Sequence, residues 1–231
     1  KNEPGFSEFD KDMLSVVSEQ SVTAIRNLQL SEEQQTIILG SIDFIGQLLK
    51  RHGHAAAINT PVYFKIVKSL GMKLNLGQTL IDNLYYASIL RNTGAIDVPY
   101  NILAKSSQLT SDEFKVIRNQ PAHSVELIKP VEFLKPVLPI ILYHHEKYDG
   151  TGYPSGLKKE QIPIGARILS VVDAFEAMVR ERPYKSRLGI DEAVDELKRN
   201  SGTQFDPKVV NSFVKLSKQK KFRNYLRALT E

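Results

Sequence analysis

The chain has 231 residues, with 31 Lys and Arg against 26 Asp and Glu for a net charge of +5, which is length enough for one well-buried core or one domain with an appendage. It contains no cysteine, which excludes disulfides and zinc–thiolate centres and leaves any metal to histidine, carboxylate or water. The longest apolar run, Val137 to Tyr143, is far too short to cross a bilayer. No signal-peptide pattern opens the chain, where Lys1-Asn2-Glu3-Pro4-Gly5 reads as the cut end of a linker, so the expected setting is cytoplasmic.

Apolar residues recur at helical spacing over Leu14–Leu28 and Glu32–Leu49, and the break at Leu28-Gln29-Leu30-Ser31 predicts a hairpin of two helices with Ser31 as N-cap. Residues 1–54 are read as this N-terminal hairpin, serving dimerisation or connection to an upstream sensory domain. His52 and His54 flank Gly53 without nearby carboxylates and read as surface residues. A third helix is expected over Thr60–Asn75 with Pro61 in its first turn, and a fourth over Thr79–Asn92 with Gly94 closing it. Thr110-Ser111-Asp112-Glu113 is a capping box. The helix it opens carries Phe114, Ile117, Val125 and Ile128 and is expected to be interrupted near Pro121. Pro136 and Pro139 should kink or delay the sixth helix, Val131–His145. Further helices are expected over Ile164–Arg180, Ile190–Asn200 and Pro207–Leu216, the last capped by Asp206. No strand alternation or repeat is present, so the fold class is all-α. Lys218, Lys220, Lys221, Arg223 and Arg227 cluster in 218–231, a basic tail that reads as a solvated helix face rather than a nucleic-acid site.

Two adjacent histidines, His144 and His145, end the apolar run and lead into Glu146-Lys147-Tyr148-Asp149-Gly150-Thr151-Gly152-Tyr153-Pro154-Ser155-Gly156. Neighbouring helical residues point about 100° apart, so the two imidazoles suit different ions or different partners. The glycines permit close backbone approach and Pro154 stiffens the turn, holding Tyr153 near the imidazoles. The plain alternative is a helix end with two exposed histidines and an ordinary loop.

Downstream come Ile162-Pro163-Ile164-Gly165-Ala166-Arg167, Asp173, Arg182-Pro183-Tyr184-Lys185 and Gly202-Thr203-Gln204-Phe205-Asp206-Pro207. In that order and spacing the chain closely resembles the HD-GYP family, all-helical, metal-dependent phosphodiesterases of bacterial signalling that open cyclic di-GMP. The resemblance runs from about Asn59 to Leu216 and is most specific from His144 to Pro207. It implies an HD-domain-like helical bundle over residues 55–217.

The resemblance also implies metal ligands that this chain replaces. An early helical histidine falls on Asn59, and a later one, before proline, on Gln120. The family's Leu-His-Asp-Ile-Gly-Lys run is Leu90-Arg91-Asn92-Thr93-Gly94-Ala95 here, so Arg91, Asn92 and Ala95 stand for the histidine, the aspartate and the catalytic lysine. His144, His145 and Asp173 remain as residual metal candidates. A two-metal hydrolase needs anionic and imidazole donors enough for two close cations. Asn and Gln offer weak carbonyl ligands, and Arg91 brings a permanent positive charge that is expected to fork onto Asp173.

The ligand-binding positions are kept. The resemblance implies that Tyr153 contacts a guanine and that Arg182 and Lys185 address phosphate. For Arg182 a structural pair with Asp206 is the alternative, and Arg167 and Asp149 are expected to brace the loop. The reading is a degenerate HD-GYP domain, a response-regulator output or similar module acting as adaptor or sensor in the cyclic di-GMP pathway. Its interaction loop is Gly152-Tyr153-Pro154. The expected partners are a diguanylate-cyclase (GGDEF) protein, cyclic di-GMP, and a second copy through the N-terminal helices, with no resident cofactor. The alternative is an active phosphodiesterase with an atypical, residual iron or manganese site on His144, His145 and Asp173, supplemented by His54, His123 or Glu146.

Overall fold

The computed structural model describes residues 7–51, 60–103, 105, 107–180 and 187–230. They form ten α-helices: α1 Glu8–Arg51, α2 Thr60–Lys73, α3 Gln78–Leu90, α4 Tyr100–Leu103, α5 Ser111–Ile128, α6 Leu138–Leu142, α7 Ile164–Val179, α8 Ile190–Arg199, α9 Pro207–Ser217 and α10 Lys220–Thr230. Short 3₁₀ turns occupy Thr93–Asp97, Glu132–Val137 and Lys159–Gln161. The all-α expectation holds, with no strand among the described residues.

The chain divides into two compact units, residues 1–45 and 46–231. The first is built on α1, and the expected hairpin is corrected there: a single helix of 44 residues runs through Leu28-Gln29-Leu30-Ser31. Leu, Gln and Glu are strong helix formers, and one serine costs only a few tenths of a kcal/mol, far less than a turn would need from Gly or Pro. Leu14, Val17, Ile25 and Leu28 stand exposed along it.

In the second unit, α7 is the central helix. Ala166, Ile168, Leu169, Val171, Val172, Phe175 and Val179 are all buried, because α2, α3, α6, α8, α9 and α10 each pack on it. A helix apolar on most sides requires such enclosure. Phe175, Phe213 and Phe222 continue the core from α7 through α9 to α10, with ring centroids 5.0 and 5.5 Å apart. Residues 218–231, read as a basic tail, contain α10, whose Phe222, Leu226 and Leu229 are buried while Lys220, Lys221 and Arg227 face solvent.

Local chemistry sets several boundaries as expected. Thr110 and Glu113 close both arms of a capping box on α5, and Asp206 caps α9 ahead of Pro207. The helix expected over Val131–His145 begins late, as 3₁₀ through Pro136 and as α6 only from Leu138. Two expectations are corrected. Helix α5 continues through Pro121 without interruption: the proline is buried between Gln120 and Ser124, and packing offsets the lost backbone bond. Gly94 does not cap the helix expected over Thr79–Asn92, which is α3 and stops at Leu90. It lies buried in the following 3₁₀ turn, where a Cβ would drive into the Gln120 carbonyl and the Ser124 amide.

Candidate functional site

Asp173 of α7 is the meeting point. Its Oδ1 accepts from Arg91 Nε at 2.9 Å and from the Tyr63 hydroxyl at 2.8 Å, and its Oδ2 lies 4.0 Å from His144 Nε2. Arg91, at the C-terminal end of α3, is only 2% exposed. Its Nη1 donates to the Ser88 carbonyl, and its Nη2 reaches Glu176 Oε2 at 3.4 Å. Its guanidinium carbon sits 3.9 Å from the centroid of the Tyr63 ring. The pairing with Asp173 is therefore present, with a correction to its geometry: it is a single bond, and the other arm serves Glu176 one helical turn on. Burial works against the guanidinium charge, but Asp173 foremost, with Glu176, more than offsets it and keeps the cation firmly protonated. Burial drives the Tyr63 hydroxyl well above the usual phenol range, with Arg91 opposing.

The backbone around Arg91 is fixed as firmly as its side chain. Gln120 Nε2 and Ser124 Oγ both donate to the Arg91 carbonyl, at 2.9 and 3.0 Å. The Gly94 amide donates to Ser124 Oγ at 2.8 Å. Gln120 thus acts as a brace between α5 and the end of α3, its side-chain amide donating to both the Arg91 carbonyl and Ser124 Oγ, where a metal-bound histidine would keep a single N–H donor. Asn92 and Ala95 lie half-buried in the same turn. Asn59, His52, His54, Arg182 and Lys185 lie outside the described residues.

His144 is buried, with Nδ1 2.6 Å from the Ile141 carbonyl oxygen, so a proton on Nδ1 leaves the Nε2 lone pair toward Asp173. The His145 ring lies 4.0 Å from that of His144, and Tyr153 stacks on His145 at 5.0 Å and 25°. Burial above all holds both imidazoles below their usual range: Arg91 adds to it at His144 against the pull of Asp173, and His144 followed by Arg91 adds to it at His145. The structure therefore brings His144, His145 and Asp173 together, and Tyr153 with them.

As a metal centre this donor set is poor. One Asp173 oxygen is already shared by Arg91 and Tyr63, and a fixed positive charge lies beside it. Among the described residues no group of three or more His, Cys, Asp or Glu side chains is placed to hold a metal ion. His123 is half-exposed near Asp97 at 3.6 Å, and Glu146 turns to the Ser155 amide at 2.6 Å. The described residues do not fit a pair of resident cations.

The loop itself is held from both ends. Asp149 accepts from the Thr151 amide and hydroxyl. The amides of Tyr148 and Asp149 donate to the Gln204 and Thr203 carbonyls. At Gly152 a Cβ would collide with the Lys147 amide and Glu146 Cα, so glycine is required by close approach. The Tyr153–Pro154 peptide is cis, and Pro154 is exposed. Arg167 pairs with Asp206 at 2.5 Å, taking the carboxylate considered for Arg182. Sequence reasoning missed Tyr63, Glu176, Ser124 and Arg118. Only Glu176 had a signal, its i+3 spacing from Asp173 on one helix face.

A model of the HD domain family matches residues 20–209. The chain belongs to that family, and its HD-GYP resemblance is matched by relatives carrying that activity in their names. It is 35% identical over 159 residues to a cyclic di-GMP phosphodiesterase of Thermotoga maritima, covering 67% of this chain and 42% of the relative. It is 37% identical over 145 residues to a cyclic di-GMP phosphodiesterase response regulator of Xanthomonas campestris, covering 62% and 38%. The chain thus spans less than half the length of these relatives. A cyclic GMP-AMP-specific phosphodiesterase of Vibrio cholerae shares the fold, with a TM-score of 0.57 at 19% identity over 74% of this chain and 48% of the other. No helix among the described residues is long and apolar enough to cross a membrane.

Proposed function

We propose that the chain is a catalytically degenerate HD-GYP signalling domain, acting as a cytoplasmic adaptor or sensor in the cyclic di-GMP pathway. The observation that carries this is the buried Arg91 guanidinium on Asp173, which supplies a positive charge where hydrolysis would need a metal-bound hydroxide. Arg91 cannot ionise a water, so the cluster stabilises without activating a nucleophile. The kept face is the Gly152-Tyr153-Pro154 loop, rigid, backed by His145, and suited to a planar base or to a GGDEF-domain partner. Arg182 and Lys185 belong to this reading as phosphate contacts. The deciding experiment incubates the chain with cyclic di-GMP and Mn²⁺ or Fe²⁺, measuring binding and linear dinucleotide product together. Binding without product supports the proposal, and steady turnover overturns it.

One observation favours a second reading, a residual mononuclear site. His144 Nε2 and Asp173 Oδ2 face each other at 4.0 Å, so a small closure would bring both donors onto one cation. The same assay separates the readings, since only the second yields product. We further propose that α1 pairs with a second copy, because an exposed apolar stripe at helical spacing on a 44-residue helix is the pattern of associating helices. Sedimentation of the chain against a Val17→Glu/Leu28→Glu variant tests this, with an unchanged molecular mass overturning it.

A further inference from the structure

From the buried centre outward, the planar groups form a series. His144 meets His145, His145 meets Tyr153, and the guanidinium carbon of Arg118 lies 5.3 Å from the Tyr153 ring centroid. Arg118 also lies 4.9 Å from the ring of Phe114, one turn back on α5. Arg118 is exposed, and Phe114 is 42% exposed. Neighbouring cations on this helix and loop behave differently: Lys115 pairs with Asp112 and Lys105 with Glu113. Among the described residues Arg118 meets only aromatic rings, and no carboxylate or carbonyl takes its five N–H donors.

A guanidinium against aromatic faces has much of its side-chain freedom already restricted, while its N–H edge stays free for a forked acceptor. That edge matches two oxygens of a phosphate. Beside it, the Tyr153–His145 stack offers the planar surface that a base would meet. A flat ring and an unspent fork within one contact of each other fit a nucleotide phosphodiester better than an isolated carboxylate.

We propose that Arg118 is an anion-binding residue of the Gly-Tyr-Pro face, forking onto a phosphate of a cyclic dinucleotide whose base lies against Tyr153. This rests on the reading that this face binds a cyclic dinucleotide. Arg118→Ala is suited to the test because the position is exposed on a helix where alanine is well tolerated. Titration calorimetry with cyclic di-GMP compares the wild-type chain, Arg118→Ala and Arg118→Lys across a salt series. The expected result is about a tenfold or greater loss in Arg118→Ala with a flatter salt dependence, and partial retention in Arg118→Lys, which keeps charge but not the fork. Wild-type binding with Arg118→Ala unchanged overturns the role of Arg118 and leaves the nucleotide reading standing. Absence of wild-type binding overturns both.

Discussion

Arg91 Nε lies 2.9 Å from Asp173 Oδ1 across 82 residues of sequence, joining the end of α3 to the middle of α7. The guanidinium is 2% exposed and the carboxylate 24%, so the pair is one-sided: the cation is buried, and its partner reaches partly to water. Removing the cation leaves Asp173 with the Tyr63 hydroxyl and Glu176 with Arg180, two carboxylates one turn apart that have lost the buried charge they share. Arg91→Ala should therefore cost about 3 kcal/mol or more in urea unfolding. Adding Asp173→Asn should recover part of that, and strictly additive losses would show the pair to be energetically idle.

Histidine ionisation sets an acid limit. Both imidazoles are held below their usual range by burial, with Arg91 contributing. The unfolded chain takes up protons near pH 6.5, while the native pair resists until lower pH. The stability they contribute is full above that value and is lost as pH falls through the native values. Urea midpoints measured from about pH 8 to about pH 5 should decline, and less steeply in His145→Gln. Equal slopes in the two proteins would remove the histidines from the account.

Metal affinity should respond to charge at residue 91. Arg91→His with Asn92→Asp exchanges a fixed cation for an imidazole and a carboxylate beside Asp173 and His144. Manganese affinity by calorimetry should rise roughly tenfold or more. No gain would mean that the geometry, rather than the charge of Arg91, opposes the ion.

Tyr153→Ala removes the ring that meets both His145 and Arg118. Cyclic di-GMP binding should weaken by about tenfold, whereas Tyr153→Phe keeps the stack and most of the affinity. Equal affinity in all three proteins would assign the loop to protein contact.

Gly94→Ala should destabilise by about 2 kcal/mol or more, because the added methyl meets backbone of α5 rather than a movable side chain. A neutral thermal shift would show that the turn can withdraw from α5.

Much of this fold was legible because its signals are local. The Thr110 capping box, the Asp206-Pro207 cap and the glycine loop each involve residues within a few positions of one another. What escaped depended on distance in sequence. Pro121 sits in an unbroken helix because of what packs around it, and Gly94 is needed because α5 lies against it. Within the candidate site, Arg91 meeting Asp173 followed from the family's pattern. Tyr63 beneath the guanidinium left no local trace, since a tyrosine on a helix's apolar face reads simply as core. Arg118 looked like any exposed helix cation until the Tyr153 loop was folded against it.

The Arg91 guanidinium also changes what the cellular environment can do to this domain. A charge carried on a side chain cannot be stripped by a chelator, cannot change oxidation state, and does not depend on the supply of transition metal. On the degenerate reading proposed above, the charge at the centre of the bundle would be in place whatever the iron or manganese status of the cell. Prolonged EDTA treatment should leave its melting temperature where it was.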